Sequence, residues 1–482
     1  MRCKSLYDKK LFSVDDCENL SNNDVRKLYK NHVNPAVEHL FSAFQLGEES
    51  VDYAEGVWIF TKSKKKILDV TGGIGVLSHG HNNPRILNAR LNYQKQKRME
   101  VHKTIFSPYL AALSHNIAQL LPADLNYSFF GNSGAEAVEG AIKLAYKYHN
   151  GNRKVILHSN ISFHGKLLGS GSITASKDIT FQFPKISNTD SFEFNNIQSI
   201  IEKINIYKKN SGESDVYAII VEPFSSSYLR ECTYDFLSSL QKICNDNDIV
   251  LIFDEVYSGW YKTGHLFCFM QYDDIIPDII TSSKSFGGGK ASISAYICRD
   301  KILKKSYGNT KDAILHSSTY NGFGEECITA IEAINTMVEE NYQEKSKKIE
   351  SLTIERCKKL VIKFNAQVTE YRGKGTHFGI FLSTDSKLSS IVKLLPTDFT
   401  KDKNFIQKLV AASISDWLFK NYKIYVLFTT PDQVAISFSP SIIINENEIN
   451  YFFDSLEMTL NEGIWKIVTS FAKRQFSQFI RS

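Results

Sequence analysis

The amino-acid sequence predicts an α/β fold, in which helices cover both faces of a mostly parallel sheet and a smaller α+β domain follows. Short β-branched runs alternate with amphipathic stretches through the middle of the chain. Continuously apolar runs of this kind are typical of strands in a parallel sheet that is buried on both faces. The 482 residues suffice for a large core and for two structural domains with terminal segments.

The first elements are an arm and a hairpin. Residues 1–50 are polar and predict a helical arm. The runs 58–60 and 67–70 flank a lysine-rich segment, 62–66, which we interpret as a hairpin turn and not as a binding patch.

The central part of the chain predicts the main sheet. Strands are expected at 127–130, 154–158, 217–221, 249–253, 279–282 and 295–298. Amphipathic helices are expected between several of them, including 135–149 and 234–245. In such a sheet, ligands bind at the carboxyl ends of the strands.

After residue 340 the pattern changes to that of a smaller sheet with long helices. It predicts a helix at 349–364, strands at 379–383 and 434–438, and a closing helix at 446–462. The last stretch, 465–482, carries apolar residues at roughly helical spacing, namely Val468, Phe471, Ala472, Phe476 and Phe479. We interpret it as a packed terminal helix; a membrane-surface or partner helix is the alternative.

These changes of pattern divide the chain into three parts. Residues 1–75 are expected to form the arm and part of the small domain. Residues 76–340 are expected to form the large domain. Residues 341–482 are expected to form the C-terminal small domain with its terminal helix.

Composition and charge exclude several classes of partner. The chain is 43% hydrophobic and 23% charged, and its net charge is only +5, with basic residues scattered among acidic ones. A nucleic-acid-binding stripe is therefore not expected. No apolar run approaches the ~20 residues that a membrane-spanning helix needs, so no membrane partner is expected.

The eight cysteines indicate a reducing environment. They are dispersed, from Cys3 to Cys357, without a CxxC pair or a zinc-binding spacing. No signal-peptide pattern is present at the start of the sequence. We therefore expect a cytoplasmic protein without a metal site.

Lys284 is the first candidate for chemistry. It follows the apolar run 279–282 and precedes three glycines, Gly287, Gly288 and Gly289. A lysine at the end of a buried strand is poorly hydrated, so its amine is easily deprotonated and can act as a nucleophile or base. The segment alone also fits a surface lysine in a glycine turn.

Three further segments add possible ligand contacts. The run 131–137, which contains Ser133, follows a strand and opens a helix, so its N–H groups can bind an anion or simply cap the helix. Asp254 ends a strand, where a carboxylate can cap a helix or pair with a protonated ring nitrogen. Phe163 is a core residue or a platform for ring stacking. Together with Lys284, these groups match what pyridoxal phosphate requires.

At this point the chain resembles a known family, the class III (ornithine aminotransferase-like) pyridoxal-phosphate aminotransferases of fold type I. The matching runs occur in the family's order, at 73–84, 131–139, 163–166, 221–223, 253–264, 284–289 and 316–322. They cover roughly residues 25–460. The resemblance implies a seven-stranded, mostly parallel sheet in the large domain, which would bind the cofactor.

The resemblance also implies roles for individual residues. Lys284 would hold the cofactor as a Schiff base and, once released by the substrate amine, shuttle the proton. Asp254 would keep the pyridine nitrogen protonated, so that the ring acts as an electron sink. Further cofactor contacts would come from Ser133, Gly134, Ala135, Phe163, His164, Glu222 and Tyr257.

An additional contact is expected from a second subunit. In the resemblance, Thr319 reaches the phosphate of the neighbouring subunit's cofactor. A homodimer with a shared active site is therefore implied.

The chain departs from the family pattern on the substrate side. Ser227 stands where the family usually has a glutamate, and Ser437 stands where it has an arginine that binds the substrate α-carboxylate. The two losses are coherent, since either charge alone would be buried without its partner. Ile74 and Tyr257 make the expected pocket more apolar and aromatic, while Lys166 and Arg372 remain possible carboxylate partners.

We therefore predict an aminotransferase that moves an amino group between a donor amine and an aldehyde or ketone, in a biosynthetic role. Its main substrate is expected to lack a free α-carboxylate, and a carrier-bound intermediate is one of the candidates. One alternative is another pyridoxal-phosphate reaction on the same fold: racemisation or epimerisation, an aminomutase reaction, or decarboxylation. A second alternative is a catalytically silent scaffold protein.

Overall fold

The computed structural model describes residues 11–42, 45–175, 183–186, 188–384, 404–429 and 433–479, with the backbone alone at 45–46 and 475–479. The strands, numbered in chain order, are β1 Val51–Glu55, β2 Trp58–Thr61, β3 Lys66–Asp69, β4 Leu125–Gly131, β5 Val155–Ser159, β6 Thr189–Phe192, β7 Val216–Val221, β8 Phe224–Ser225, β9 Arg230–Glu231, β10 Val250–Asp254, β11 Ile279–Ser282, β12 Ser294–Arg299, β13 Val368–Lys374, β14 His377–Leu382, β15 Ile424–Tyr425, β16 Leu427–Phe428 and β17 Ala435–Phe438.

Helices connect these strands and cover the sheets. The α-helices are Val14–Glu18, Asn22–Leu28, Pro35–Ser42, Gly72–Gly75, Pro84–Lys95, Pro108–Leu120, Gly134–Tyr148, Leu168–Ser172, Ile197–Ile206, Tyr234–Asp246, Asp300–Ser306, Gly324–Glu339, Tyr342–Lys363, Phe405–Tyr422, Glu446–Glu462 and Ile464–Phe479. A π-helical turn, Tyr29–Val33, and short 3-10 segments, including Lys284–Gly287, complete them.

The largest sheet has seven strands in the order β4-β12-β11-β10-β7-β5-β6. Its strands pair in parallel from β11 to β6, and only β12 runs antiparallel to its neighbours. The predicted fold class is confirmed. All six predicted strands are present, and the strand that the sequence analysis did not predict is β6.

β6 escaped prediction because its residues are Thr-Asp-Ser-Phe, and only Phe192 is buried. It pairs with β5 alone and forms an edge of the sheet. An edge strand is half solvated and does not need a continuous apolar run. By contrast, every residue of β7 and β10 is buried, which explains why those strands were visible in the sequence.

Besides the two-stranded sheet of β8 and β9, two four-stranded sheets lie outside the main one. The first has the antiparallel order β13-β14-β17-β16. In the second, β15 adds in parallel to β3 of the β1-β2-β3 meander, so strands from the two halves of the chain share one sheet. The predicted turn between β2 and β3 is present, and Lys64 takes the left-handed conformation there.

One apolar cluster joins the smaller sheets to the C-terminal helices. It contains Leu68 from β3, Phe438 from β17 and Phe452 from the helix Glu446–Glu462. This shared core places the N-terminal strands beside the C-terminal part of the chain. β17 is thereby anchored in the core of the C-terminal part of the chain.

The terminal helix Ile464–Phe479 packs against the protein. Ile467 and Val468 are fully buried in the same cluster, and Arg474 forms an ion pair with the buried Asp416. Residues 480–482 and the side chains of Phe476 and Phe479 lie outside the described residues, as does Cys3 at the other end. In the part of the chain that the structure describes, no helix combines the length and apolar character required to cross a membrane.

Candidate active site

Two chemistry-bearing residues meet at the carboxyl edge of the main sheet. Asp254 is the last residue of β10 and lies opposite Thr281 of β11. Lys284 follows β11 after a single intervening residue, Ser283. Because β10 and β11 run in parallel, both side chains project from the same edge, where such sheets bind ligands.

Lys284 is held in an unusual backbone conformation. Its φ is 49°, in the left-handed region that residues other than glycine rarely adopt. The side chain is partly buried, and burial lowers the pKa of its amine to about 8, although Asp254 and Glu222 oppose this shift. More of the amine is therefore uncharged near neutral pH than in an ordinary lysine, which favours a role as nucleophile or base.

Asp254 is held firmly by its neighbours. One carboxylate oxygen accepts hydrogen bonds from the backbone N–H of Val256 and the hydroxyl of Thr281, both at 3.0 Å. The other oxygen lies 2.6 Å from Nδ1 of His164, whose side chain is fully buried. Since a carboxylate only accepts hydrogen bonds, His164 donates through Nδ1 and fixes the orientation of Asp254.

The predicted anion site lies at the start of the helix Gly134–Tyr148. Ser133 caps this helix, and Glu136 closes a capping box by accepting hydrogen bonds from the N–H groups of Ser133 and Asn132. The N–H groups of Gly134 and Ala135 belong to the first turn of the helix and have no intrahelical acceptor. They are therefore available to an anion, which the helix dipole favours.

The anion site packs directly on the segment that follows Asp254. A Cβ added to Gly134 would lie 2.7 Å from Cγ1 of Val256, which is closer than real contacts allow. Only glycine permits this close approach. The helix N-terminus and the Asp254 carboxylate are thus joined through Val256.

Phe163 and Glu222 close another side of the site. The N–H of Phe163 and the hydroxyl of Ser225 both donate to Oε2 of Glu222, at 2.9 and 3.2 Å. Burial raises the pKa of Glu222 to about 7. Phe163 is partly buried and immediately precedes His164, so it lies on the side of the site where the imidazole supports Asp254.

Tyr257 links Lys284 to the small sheet. The Nζ of Lys284 lies 4.2 Å from the centre of the Tyr257 ring, and the Tyr257 hydroxyl lies 2.6 Å from Oγ of Ser439. Burial raises the pKa of Tyr257, which therefore stays neutral. Ser439 directly follows β17, so this hydrogen bond connects the small sheet to the edge of the main one.

The short helical turn Gly72–Gly75 covers Tyr257 from another direction. A Cβ on Gly75 would lie 2.8 Å from the Tyr257 ring, and the carbonyl of Gly75 accepts a hydrogen bond of 2.7 Å from Ser285. Ile74 belongs to this turn, has a φ of 59° and is 64% exposed. The predicted pocket residue Ile74 is thus next to Gly75, whose carbonyl is hydrogen-bonded to Ser285, the residue after Lys284.

The two substrate-side serines lie on facing surfaces. Ser437 belongs to β17, opposite Gly379 of β14. Ser227 lies in the loop between β8 and β9, and Leu229 of that loop packs so closely on Gly379 that a Cβ there would come within 2.2 Å of Leu229 Cδ1. The loop with Ser227 therefore rests on the sheet face that carries Ser437.

Other predicted residues lie further out. Lys166 is exposed, and Arg372 pairs with Glu370 on its own strand. Thr319 lies in an exposed turn and, within the described part of this chain, forms no hydrogen bond with Lys284. An exposed position is what a residue serving a second subunit would have.

Sequence analysis missed two buried basic residues near Lys284. Lys262 donates a hydrogen bond of 3.1 Å to the carbonyl of Pro440, and burial together with the charge of Lys284 lowers its pKa to about 7. His377 lies 4.7 Å from the Tyr257 ring, between centroids. Lys262 lies within one of the matching runs, but nothing in its sequence context reveals that it is buried.

Comparison with known proteins shows the family and the fold of the chain. The family described as aminotransferase class-III matches residues 47–460. A transaminase from the marine bacterium Virgibacillus has a similar structure, with a TM-score of 0.77, 20% identity, and coverage of 92% of this chain and 99% of that chain. An (S)-enantioselective omega-transaminase from Thermomicrobium roseum gives 0.77, 22%, 92% and 99% for the same measures.

The ornithine aminotransferase from Toxoplasma gondii is similar as well, with a TM-score of 0.76 and 19% identity, and the match covers 94% of this chain and 97% of that chain. At these identities, the structural likenesses show the fold. The family match covers most of the sequence and therefore shows family membership as well as the fold. The chain thus belongs to the class III aminotransferases and is a transaminase of fold type I that uses pyridoxal phosphate.

Proposed function

We propose that this transaminase acts in biosynthesis on a main substrate, an amine or its aldehyde or ketone counterpart, that lacks a free α-carboxylate beside the reacting carbon. The observation that carries the proposal is the composition of the wall beyond Lys284, formed by Tyr257, His377, Ser437 and Ser439. Among the described residues, no arginine forms a hydrogen bond or ring contact with these four. A bidentate carboxylate clamp would require one.

The residues at the sheet edge fit the cofactor. We propose that Gly134 and Ala135 hold its phosphate with Ser133, and that Asp254 pairs with its ring nitrogen while His164 orients the carboxylate. When bound, pyridoxal phosphate provides an electron sink for the negative charge left as a proton leaves the substrate carbon. The closeness of Gly134 to Val256 supports this assignment, because it fixes the spacing between the phosphate end and Asp254.

Lys284 has the properties that a covalent anchor and proton carrier need. Burial lowers the pKa of its amine to about 8, so more of it is uncharged near neutral pH than in an ordinary lysine, and it lies over the Tyr257 ring. We propose that it removes the proton from the substrate carbon and returns it on the cofactor side. An amine with a pKa near the working pH is well suited to both directions of this transfer.

The remaining cofactor contacts are also proposals. Phe163 would stack on the ring, supported by its position beside His164, and Glu222 would fix the Phe163 backbone. Tyr257 would line the opposite edge of the cofactor. The buried hydrogen bond between the Tyr257 hydroxyl and Ser439 holds the tyrosine ring in place.

Membership in the family favours amino-group transfer over the alternatives considered above, which were racemisation, aminomutase chemistry, decarboxylation and a silent scaffold. Two further features stay proposals. The exposed position of Thr319 supports a homodimer with a shared site. The seven cysteines within the described residues are all free, which fits a cytoplasmic location. A carrier-bound substrate is compatible with a pocket that lacks a carboxylate clamp.

A donor screen with the holoenzyme tests the proposal. Each donor is mixed with the enzyme in a single half-reaction, and loss of the visible absorption of the bound cofactor is followed. Amines without a carboxylate should react faster than α-amino acids by about tenfold or more, the difference expected from one well-placed interaction. The opposite ranking, with glutamate and 2-oxoglutarate as the best pair, would refute it.

A gain-of-function variant makes the test independent of the choice of amine. Ser437→Arg combined with Ser227→Glu should raise the relative rate with α-amino acids, because it introduces the charged pair that this wall lacks. Ser437→Ala is the matched control, since it removes the hydroxyl without adding a charge. Equal behaviour of the two variants would count against Ser437 as a wall of the substrate site.

A further inference from the structure

His377 is a buried polar residue at the substrate side that the proposed chemistry does not use. It begins β14, where it is two residues from Gly379, the partner of Ser437 in the sheet. Residues at this spacing lie on the same face of a strand. His377, Gly379 and Ser437 therefore share the sheet face on which the loop carrying Ser227 rests.

The contacts of His377 connect it to Lys284 through a single residue. Its Nε2 lies 3.4 Å from the hydroxyl oxygen of Ser437. Its ring lies 4.7 Å from the Tyr257 ring at an angle of 36°. The Tyr257 ring in turn contacts the amine of Lys284 at 4.2 Å.

The other ring nitrogen of His377 is buried without a partner. Nδ1 has no hydrogen-bond partner among the described residues, and the residue is only 5% exposed. A buried nitrogen with no partner is unfavourable, because it has lost its hydrogen bonds to water. The bond of Nε2 to Ser437 is also long. The imidazole therefore retains capacity for hydrogen bonds that the protein leaves unused.

The surroundings of His377 keep it uncharged. Burial, followed by the nearby charges of Lys262 and Lys284, holds its pKa well below the usual value. A neutral imidazole offers one donor and one acceptor. The amine of Lys262 donates to the carbonyl of Pro440, so the nearest additional cation already has an acceptor.

We propose that His377, together with Ser437, determines substrate specificity by binding an uncharged hydroxyl, carbonyl or amide group of the amine or oxo substrate. This inference rests on the proposed function, since it replaces a carboxylate clamp with a neutral hydrogen-bonding pair. A carboxylate would bind poorly here, because neutral imidazole and serine together donate few hydrogen bonds and neither carries a positive charge. An apolar group would leave Nδ1 without a partner.

Isosteric amines test the inference on the holoenzyme. Isopropanolamine and isobutylamine differ only in a hydroxyl that replaces a methyl, and β-aminoisobutyrate puts a carboxylate in the same place. Amino alcohols with the hydroxyl at successive positions along the chain, each paired with its methyl isostere, locate the polar group. At its best position, the hydroxyl should raise the ratio of the half-reaction rate constant to KM by about tenfold or more.

Two variants assign the preference to His377. His377→Leu should abolish the preference for the hydroxyl, so that the ratio of the rates with the hydroxyl amine and its methyl isostere falls to about one. His377→Gln keeps a neutral donor and acceptor and should retain part of the preference. Equal losses with hydroxyl and methyl amines in both variants would show a structural role and overturn the inference.

Thermal unfolding of the cofactor-free protein provides a readout other than activity. If Nδ1 is an unused group, His377→Leu should leave the melting temperature of the Ser437→Ala protein unchanged or raise it, because in that background neither ring nitrogen keeps its protein partner. A marked decrease would show that an unseen partner, such as a bound water molecule, satisfies Nδ1, and would overturn the inference.

The two proposals fail in different ways. If α-amino acids are converted rapidly and no amine without a carboxylate reacts, the proposed function is wrong, and this inference is wrong with it. If amines without a carboxylate react, but every hydroxyl amine reacts at the same rate as its methyl isostere in the wild-type enzyme, this inference alone is overturned. The wild-type comparison decides that point even if neither variant folds.

Discussion

The amine of Lys284 lies 4.2 Å from the centre of the Tyr257 ring, and the hydroxyl of the same tyrosine is hydrogen-bonded to Ser439 in the small-sheet region. One buried aromatic residue thus touches the reactive lysine and holds it against a different part of the chain. The position of Lys284 therefore depends on how the small sheet packs on the carboxyl edge of the large one.

A double-mutant cycle measures this connection. Tyr257→Phe and Ser439→Ala should each reduce the free energy of unfolding by roughly 1–3 kcal/mol, because each leaves the other buried hydroxyl without its partner. The double variant should lose less than the sum, with a coupling of about 1 kcal/mol in urea unfolding. Strict additivity would show that the 2.6 Å contact between the two oxygens does not exist in solution.

Removal of the Lys284 amine should abolish the reaction. Lys284→Ala is expected to lower the half-reaction rate by at least about a hundredfold, since it removes both the covalent anchor and the proton carrier. Borohydride should attach the cofactor to the wild-type protein and not to this variant. Lys304→Ala is the matched control, because the Lys304 side chain is 64% exposed and its one ion pair among the described residues is with Asp300. Covalent attachment in the Lys284 variant would contradict the assignment.

The pKa of Lys284 predicts how cofactor capture depends on pH. Burial lowers this pKa to about 8, and only the uncharged amine attacks a carbonyl. The rate at which cofactor-free protein captures pyridoxal phosphate should therefore rise with pH and level off above pH 8. A flat profile between pH 6 and about pH 9 would contradict the shifted pKa of this amine.

Stability should follow the same group in a defined direction. Unfolding returns the amine to its ordinary pKa of 10.5, so the unfolded chain binds more protons than the folded one between pH 8 and 10.5. The free energy of unfolding of cofactor-free protein should rise with pH across that window. Lys284→Ala should reduce this slope, and Lys304→Ala should not.

Much of the fold could be predicted because burial leaves a trace in the sequence. β7 and β10 are buried throughout, so their apolar runs were visible. The pairing of β15 with β3 was not predicted, since it joins segments from opposite ends of the chain and β15 has only two residues. Such a contact depends on how the finished core packs and not on any local pattern.

The candidate site shows the same division. Lys284 and Asp254 could be named because they stand directly after apolar strands, and Ser133 because it precedes a helix. His377 could not, because its importance depends on the register of β14 against β17, which brings it to Ser437. The burial of Lys262 results from packing around Pro440, which the sequence alone does not reveal.

The close approach at Gly134 predicts a specific loss of cofactor affinity. Gly134→Ala would place a Cβ 2.7 Å from Val256 Cγ1, so the helix start and the Asp254 segment must move apart. Overpacking of about 1–3 kcal/mol should weaken pyridoxal phosphate binding by about tenfold to a hundredfold in equilibrium titration. Gly171→Ala is the control, because its added Cβ would have no neighbour closer than 3.7 Å. Equal affinity in both variants would argue against this helix start as the phosphate site.

A shared active site predicts complementation between two inactive variants. Thr319→Asp should place a negative charge beside the neighbouring subunit's cofactor phosphate, and Lys284→Ala removes the amine. In a mixed dimer, one site would combine the native Lys284 of one chain with the native Thr319 of the other.

Co-refolding the two variants in equal amounts should therefore restore activity to about a quarter of wild type, because half of the random dimers would contain one native site. Each variant alone should stay inactive, and differently tagged subunits provide the control that mixed dimers have formed. Mixed dimers without recovered activity, or a fully active Thr319→Asp homodimer, would show that Thr319 does not serve its neighbour. Recovery would explain why Thr319, exposed in the single chain, occurs within a run that matches the family.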